Sequence, residues 1–197
     1  VFSVANPGTY ALYRDVWKEV IELFPSPYVH LGGDEVRSKL WRKCSGCMEL
    51  LKEKEFSDTS ELLGYFMRKI ASNLTKAGKR PIGWDEVLDQ KKYLDTNWII
   101  MSWRTSKAGL DAAKLGFDVV MTPAAYTYLD FPYSVTSTKK VFEFDPYDGE
   151  PDNSLLKKHI LGIQASFWSH VDRTESKMDY QIYPRLLALA ERAWSSV

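Results

Sequence analysis

Two adjacent carboxylates, Asp34 and Glu35, follow an apolar segment and are the residues of this sequence best suited to acid chemistry. The segment runs from Tyr28 to Leu31, and two glycines separate it from the acids. An apolar run followed by Gly-Gly predicts a strand whose backbone then bends, because glycine adopts conformations that other residues avoid. Neighbours in a regular strand point to opposite faces, so both acids can serve one site only if the chain bends after Gly33.

The spacing of this pair restricts the mechanism. A retaining glycosidase of the ordinary kind holds two carboxyl groups about 5 to 5.5 Å apart across the scissile bond. Neighbours on one strand do not easily straddle a sugar in this way, although they can flank it from one side. For an arbitrary Asp-Glu pair a solvated turn is the commoner explanation, so the pair needs support from other positions in the chain.

The composition describes a globular domain and argues against several classes of function. The chain has 197 residues, 45% of them hydrophobic, with 26 acidic and 26 basic side chains. Zero net charge without a Lys/Arg run argues against binding to a nucleic-acid backbone. No apolar stretch approaches the roughly 20 residues that a membrane helix requires. The chain starts without methionine, so an export signal could have been removed or could belong to a segment outside it.

Cys44 and Cys47 form a Cys-Ser-Gly-Cys motif and are the only cysteines. A zinc ribbon requires a second pair of ligands that the sequence lacks, so we expect no structural metal. A redox dithiol is expected after the first strand of a thioredoxin-like unit, whereas this pair follows the acids in a Lys/Arg-rich segment. The sequence leaves free thiols and a short local disulfide open, and it predicts no cofactor.

Predicted helices and strands alternate along the chain. Apolar residues recur at helical spacing at 10–24 and 60–77, and further helices are predicted at 48–54, 108–115 and 180–194. Five apolar runs predict strands at 28–32, 80–86, 98–104, 118–123 and 160–168. A polar loop is expected at 37–47, and a long loop of the kind that often carries function is expected after the fourth strand.

This alternation predicts the α/β class with a parallel sheet buried on both faces. The residues suited to chemistry follow the ends of strands, as in a β/α barrel. A doubly wound sheet is the rival architecture. It would need a glycine-rich phosphate loop after its first strand, and no G-x-G-x-x-G occurs in the sequence.

The hexapeptide from His30 to Glu35 resembles the signature of glycoside hydrolase family 20, the β-N-acetylhexosaminidases. Four later motifs resemble the family in the same order, around Trp84, Trp103, Tyr128 and Trp168. The resemblance implies a TIM-type (β/α)8 barrel. Because five strands cannot close an eight-stranded barrel, residues 1–197 would be the C-terminal portion of one catalytic domain, with the first three strands upstream.

The resemblance also implies roles for the acids. Glu35 resembles the general acid/base, and Asp34 resembles the residue that orients the substrate's 2-acetamido group, the nucleophile in this substrate-assisted family. Adjacent acids suit this chemistry because one stays ionised beside a developing cation while the other carries a proton. His30 is expected to support the site as a buried neighbour, without transferring a proton.

An aromatic sugar pocket is implied as well. Trp84, Trp103 and Trp168 resemble its walls, Tyr128 resembles the donor to the acetamido oxygen, and Asp130 resembles a binder of sugar hydroxyls. Many members carry a glutamate two residues after the last tryptophan, where this chain has His170. The remaining tryptophans of interest lack a position at a strand end and are expected to be structural: Trp41, Trp98 and Trp194.

The function implied is exo-acting, retaining hydrolysis of terminal β-linked N-acetylglucosamine or N-acetylgalactosamine. The alternative is a non-catalytic carbohydrate-binding or interaction fragment that keeps the aromatic residues. The expected partners are amino-sugar glycans, such as the ends of chitooligosaccharides or glycoconjugates, and either the upstream half of the barrel or another copy of the chain. The resemblance implies a secreted, periplasmic or lysosomal location.

Overall fold

The computed structural model describes residues 2–150, 152–168 and 174–195. Its strands are β1 (Tyr28–His30), β2 (Arg80–Trp84), β3 (Ile99–Ser102), β4 (Asp118–Met121) and β5 (Ile160–Ile163). Short 3-10 helices occupy Ser38–Lys43 and Asp85–Tyr93. The α-helices are α1 (Pro7–Leu23), α2 (Ser45–Glu53), α3 (Thr59–Lys76), α4 (Ser106–Lys114), α5 (Ala124–Thr127), α6 (Thr138–Phe142), α7 (Ser154–His159), α8 (Glu175–Ile182) and α9 (Arg185–Trp194).

The five strands occur in one sheet in the order of the chain, from β1 to β5. β1 is parallel to β2, with Val29 opposite Pro81, and β4 is parallel to β5. A doubly wound sheet reverses its strand order at a switch point, and the observed order has no such point. The predicted α/β class with a parallel sheet is confirmed. The chain divides into two compact units, Val1–Ile99 and Ile100–Val197, which are described separately.

Both long helices of the first unit form where the sequence predicts helices, although α1 begins three residues before the predicted start, at Pro7. Asn6 caps α1 by accepting a hydrogen bond from the Gly8 N–H at 2.8 Å, and a proline at the first helical position suits this start. Asp58 caps α3 in the same way, accepting from the Ser60 N–H at 2.6 Å. Gly78, with φ of +75°, follows the end of α3. Both long helices predicted from apolar spacing are confirmed.

The core of the first unit contains Val4, Trp41, Cys47 and Leu62. The Trp41 indole is 4% exposed and donates its N–H to the Phe2 carbonyl at 2.8 Å. The two cysteines are free thiols, one of the two states that the sequence left open. Trp41 is therefore structural, as expected, and so is Trp98, which is 3% exposed.

Glu61 connects α3 to the 3-10 helix at Asp85–Tyr93. Its carboxylate accepts hydrogen bonds from the Ser57 hydroxyl at 2.6 Å and the Tyr93 hydroxyl at 2.7 Å, and it pairs with Lys92. Lys92 first, then Ser57 and Tyr93, lower the pKa of Glu61 from 4.5 to about 2. The ionised form of this 7% exposed side chain is therefore part of the folded structure.

The end of the second unit differs from the prediction. The single helix expected at 180–194 is wrong, because α8 ends at Ile182 and α9 begins at Arg185, with a cis peptide bond between Tyr183 and Pro184. Proline has no N–H to donate and does not fit a helix interior. Trp194 is 90% exposed and contributes to no core in the described part of the chain, so its expected structural role is not supported.

Other segments also differ from the predicted ranges, and all five strands end earlier than predicted. β5 ends at Ile163, five residues before the predicted end at Trp168. The loop expected at 37–47 contains a 3-10 helix and the first turn of α2, and the long loop after β4 carries the short helices α5 and α6. Sequence patterns locate segment ends poorly, because short helical turns leave little apolar periodicity. No helix in the described ranges is long and apolar enough to cross a membrane.

Candidate active site

The chain turns sharply after β1, in residues 31–36, which we call the acid turn. Pairing with β2 continues for one residue, since the Leu31 N–H donates to the Ile82 carbonyl at 2.8 Å. The backbone then adopts positive φ at Gly32 (+76°), Gly33 (+99°) and Glu35 (+50°). The predicted bend at the two glycines is confirmed.

Glu35 itself has a backbone conformation that a side chain disfavours. The left-handed region costs an L-residue about 1–2 kcal/mol, because Cβ approaches the following carbonyl oxygen. Such conformations persist only where the surrounding structure enforces them, and they cluster at active sites and ligand-binding loops. Glu55 and Asp148 also have positive φ, so the strain at Glu35 supports the acid turn as a candidate site together with the pocket that both acids line.

Gly33 is required at its position for two separate reasons. Its φ of +99° disfavours any side chain, and an added Cβ would lie 2.5 Å from Cγ1 of Val87 and 3.2 Å from Cε of Met67. A separation under 3.0 Å forces one group to move. The glycine therefore lets the acid turn pack directly against α3 and the 3-10 helix that carries Val87.

His30 supports the acid turn from the end of β1. Its Nδ1 accepts a hydrogen bond from the Gly32 N–H at 2.9 Å, so the proton of the neutral ring is on Nε2. Burial lowers the pKa of His30, and the Asp34 carboxylate opposes this more weakly. The ring lies 4.7 Å from the Trp84 ring at 54°. Nε2 has no hydrogen-bond partner among the described residues.

The acids line a pocket of about 390 Å³ in the first unit. Both Asp34 and Glu35 are exposed. The remaining walls are largely apolar and include Tyr13, Trp41, Phe66 and Met67. The described part of the chain has no group of three or more His, Cys, Asp or Glu side chains that could hold a metal ion.

In the second unit, Tyr128 is the centre of an aromatic cluster. Its ring stacks on Trp103 with centroids 6.3 Å apart and planes 17° apart, and it lies 6.0 Å from the Trp168 ring. Phe131, which the sequence did not suggest, lies 5.7 Å away. Tyr128 is 7% exposed and Trp168 is 43% exposed. The structure thus brings together three predicted residues of this unit, whereas His170 lies outside the described residues.

Backbone hydrogen bonds position this cluster. Tyr128 and Ser166 form an isolated parallel bridge, in which the Leu129 N–H donates to the Ser166 carbonyl at 2.8 Å. The Ser166 N–H in turn donates to the Thr127 carbonyl at 2.9 Å. These bonds hold residues 127–129 beside Ser166, beyond the ends of β4 and β5.

Asp130 follows this bridge, and its carboxylate is buried without a partner. The side chain is 3% exposed, and neither oxygen accepts a hydrogen bond from any described residue. Burying an unpaired carboxylate is costly, so natural structures retain one chiefly where a ligand, an ion or water completes it. Asp130 is therefore a candidate ligand-binding group, as the sequence predicts.

Arg185 lies beside the same loop and was missed from the sequence. It is 0% exposed, and its guanidinium donates to the carbonyls of Leu129, Phe131 and Thr136. Burial lowers the pKa of Arg185, although a guanidinium stays protonated in proteins. The helix predicted at 180–194 hid the signal, because it places Arg185 inside the helix. Once Pro184 is recognised as a break, Arg185 lies in the first turn of α9, where a cation is unfavourable near the positive end of the helix dipole and needs another partner.

Comparisons with known proteins agree with this arrangement. The family model for glycosyl hydrolase family 20, catalytic domain, matches residues 1–197. A β-hexosaminidase from Vibrio furnissii is 37% identical over 202 residues, which cover 96% of this chain and 33% of that protein. The human β-hexosaminidase subunit beta is 30% identical, with 99% of this chain and 36% of that protein covered.

A solved structure gives the same result for the fold. The family 20 exo-β-N-acetylglucosaminidase from Vibrio harveyi, in complex with N-acetylglucosamine, matches with a TM-score of 0.91 and 36% identity. The match covers 100% of this chain and 32% of that chain, so this chain spans about a third of the length of its relatives. The five strands thus correspond to part of a β/α barrel. This chain belongs to glycosyl hydrolase family 20.

Proposed function

We propose that this chain is the C-terminal part of the catalytic barrel of a β-N-acetylhexosaminidase. The enzyme would remove terminal β-linked N-acetylglucosamine or N-acetylgalactosamine with retention of configuration. The observation that carries this proposal is the acid turn, where two glycines and a strained Glu35 follow the first strand of a family 20 chain. The relatives named β-hexosaminidase support the same activity.

In the proposed reaction Glu35 donates its proton to the glycosidic oxygen. The acetamido carbonyl oxygen of the substrate forms a bond to the anomeric carbon while the bond to the leaving group breaks. Asp34 orients the amide and stabilises the positive charge of the resulting oxazolinium. Water then attacks the anomeric carbon, and the bond from that carbon to the acetamido oxygen breaks, which regenerates the acetamide. The attacking water gives a proton to the Glu35 carboxylate, which restores the acid.

The remaining residues bind the sugar in this proposal. Tyr128 donates to the acetamido oxygen, and Asp130 accepts from sugar hydroxyls, which suits a buried carboxylate without a partner among the described residues. His170 stands where many relatives place a glutamate for the outer hydroxyls. Aromatic faces pack against the apolar faces of a sugar, and we assign that role to Trp84, Trp103 and Trp168.

We further propose that the first three strands of the barrel lie upstream of this chain. The support is the count of five strands and the coverage of about a third of each relative. The chain would then pair with that upstream segment. Several apolar side chains of α1 are exposed in the described structure and are candidates for this contact, among them Leu12, Val16 and Leu23.

The alternative is a carbohydrate-binding fragment without catalysis, which the aromatic cluster around Tyr128 would suffice to support. A pure binding module has no need of a proton donor, and the acid turn therefore favours the enzyme. The test is release of N-acetylglucosamine from a chitooligosaccharide, whose sugar leaving group is poor, by the complete barrel protein, with Glu35→Gln as the matched variant. Hydrolysis that depends on Glu35 supports the enzyme, whereas sugar binding without turnover supports the alternative.

A further inference from the structure

We propose that Arg185 is a positioning residue, which holds the Asp130 carboxylate where it binds sugar hydroxyls. This inference rests on the proposed function, because the ligand of Asp130 is the terminal amino sugar. Arg185 itself would touch no substrate. It would act through the backbone carbonyls of Leu129 and Phe131, the residues on either side of Asp130.

The first step of the argument is the geometry of the guanidinium. Nη2 donates to the Leu129 carbonyl, and Nη1 donates to the Phe131 carbonyl at 2.8 Å. One rigid, planar group therefore holds the carbonyls of the two residues on either side of Asp130. A lysine ammonium is a point charge on a flexible stem and cannot reproduce this fork.

Further contacts keep the guanidinium itself in place. Nη1 also donates to the Thr136 carbonyl at 2.9 Å, and Nε donates to the Gln181 carbonyl at 2.9 Å. The Tyr133 ring covers the guanidinium at 4.2 Å. Because these contacts come from α8 and from both ends of the loop at 129–136, the orientation of Arg185 is determined from several directions.

The second step concerns charge. Within the described residues the guanidinium donates to neutral oxygens, namely backbone carbonyls and the Gln181 side-chain amide, and it has a further hydrogen-bond interaction with the neutral Tyr133 side chain. Burial lowers the pKa of Arg185, and Tyr133 first and then the Asp130 charge, which acts without a hydrogen bond, oppose this effect. The positive charge therefore lies near the Asp130 carboxylate without bonding to it, and both carboxylate oxygens stay available to hydroxyl donors.

A purely structural role for Arg185 predicts something different. A residue that only stabilises the fold should weaken sugar binding by the same factor whether or not Asp130 can bind. A residue that acts through Asp130 should lose its effect on binding once the carboxylate is removed. A double-mutant cycle between the two residues separates these cases.

The experiment uses the complete barrel protein and four forms of it: wild type, Arg185→Lys, Asp130→Asn and the double variant. The matched control is Arg192→Lys on the same helix, since Arg192 donates to the Phe144 carbonyl at 2.6 Å, outside the Asp130 loop. Affinity for N-acetylglucosamine is measured by calorimetry, and kcat and KM are measured with the 4-nitrophenyl glycoside. Backbone hydrogen exchange across 129–136 is measured without sugar.

We expect Arg185→Lys to weaken sugar binding about tenfold, the loss typical of one misplaced charged hydrogen bond. Arg185→Lys should raise KM by a similar factor. In the Asp130→Asn background it should change sugar affinity less than about twofold. It should also speed backbone hydrogen exchange across 129–136. Arg192→Lys should leave affinity and this exchange unchanged. If Arg185→Lys does not fold, Gln181→Met replaces it; this change removes the acceptor that Nη2 contacts at 2.7 Å and should give a smaller loss of the same kind.

Equal loss of affinity in both backgrounds, or no loss at all, would overturn the positioning role. A wild-type protein that neither binds nor hydrolyses the sugar would instead refute the proposed function. Exchange across 129–136 that is the same in Arg185→Lys and wild type would refute the clamp itself, whatever the ligand. The three results are distinct, so each identifies which step of the reasoning fails.

Discussion

Replacing Gly33 with alanine tests whether close packing and backbone conformation together shape the acid turn. The φ of +99° should cost about 1–2 kcal/mol once a Cβ is present. The Cβ would also lie 2.5 Å from Cγ1 of Val87, and overpacking of this kind costs about 1–3 kcal/mol. Alanine has less conformational freedom than glycine in the unfolded chain, which stabilises the folded state by about 0.4–1 kcal/mol and offsets part of this cost. These ranges combine to a net destabilisation of about 1–4.6 kcal/mol, centred near 3 kcal/mol.

Gly78→Ala is the matched control. Gly78 also has positive φ, at +75°, but an added Cβ there meets no heavy atom of the described residues within 4 Å. Only the conformational cost remains, about 1 kcal/mol or less. In urea denaturation of the chain at one fixed protein concentration, the midpoint should fall about 1–2 M for Gly33→Ala and about 0.5 M for Gly78→Ala, at a slope of about 2 kcal/mol/M.

A second comparison isolates the steric contribution to the destabilisation by Gly33→Ala. Val87→Ala removes the methyl that the new Cβ would meet, so it should be less harmful in the Gly33→Ala background than in the wild-type chain. Equal destabilisation by Gly33→Ala and Gly78→Ala would refute the reasoning, as would strictly additive effects of Gly33→Ala and Val87→Ala. In the complete protein, Gly33→Ala should also lower kcat, because the turn that carries Glu35 would shift.

Four further predictions follow from the proposed reaction and from the structure. Glu35→Gln should slow hydrolysis strongly for poor leaving groups and less for activated aryl groups, measured across a leaving-group series, because acid assistance matters most for basic leaving groups. A thiazoline mimic of the cyclised intermediate should bind far more tightly than N-acetylglucosamine, and Asp34→Asn should weaken the mimic more than the sugar, as measured by inhibition. The isolated 197-residue chain should self-associate in light scattering and hydrolyse little substrate, because a partial barrel leaves strand edges exposed. Glu61→Gln should make the free energy of unfolding depend less on pH in acid. The Glu61 pKa is about 2 in the folded chain and 4.5 ordinarily, so the ionised carboxylate stabilises the fold above pH 4.5. This contribution is lost as the pH falls towards 2.

Each of these has a contradicting result. Equal losses across the leaving-group series would exclude Glu35 as the acid, and a glycosyl ester trapped on a carboxylate of this chain would exclude the substrate-assisted mechanism. A monomeric chain with turnover comparable to a full-length relative would show that no upstream strands are needed. A Glu61→Gln variant that loses stability between pH 4.5 and 2 as steeply as wild type would exclude the stabilising role of this ionised carboxylate.

The elements of the fold were predictable where local rules decide them. Asn6, Asp58 and Gly78 mark helix ends through hydrogen bonds and backbone conformations confined to a few residues. The bend at Gly32 and Gly33 was predictable for the same reason. Family membership was also accessible, because short motifs in a fixed order survive where overall identity falls to 30–37%.

What the sequence did not predict depends on contacts between distant segments. Arg185 occupies an exposed-looking position in the helix pattern, and only the carbonyls of residues 129–136 make its burial possible. The close approach of Gly33 to Val87 likewise depends on tertiary packing, because Val87 is 2% exposed and belongs to a separate helix. Pro184 alone indicates a break in the helix. The prediction missed this break because apolar residues on both sides of Pro184 recur at helical spacing.

The cysteine motif makes this chain convenient for spectroscopy. Cys44 caps α2, is partly exposed, and has its pKa lowered first by a hydrogen bond with Cys47 and then by one with Ser3. Cys47 is 0% exposed, and the sequence has no third cysteine. Thiolates react with maleimides whereas buried thiols do not, so one dye can be attached selectively at Cys44 without mutagenesis. A dye at Cys44 can follow the folding of the first unit, because this residue packs against the core of Val4, Trp41, Cys47 and Leu62.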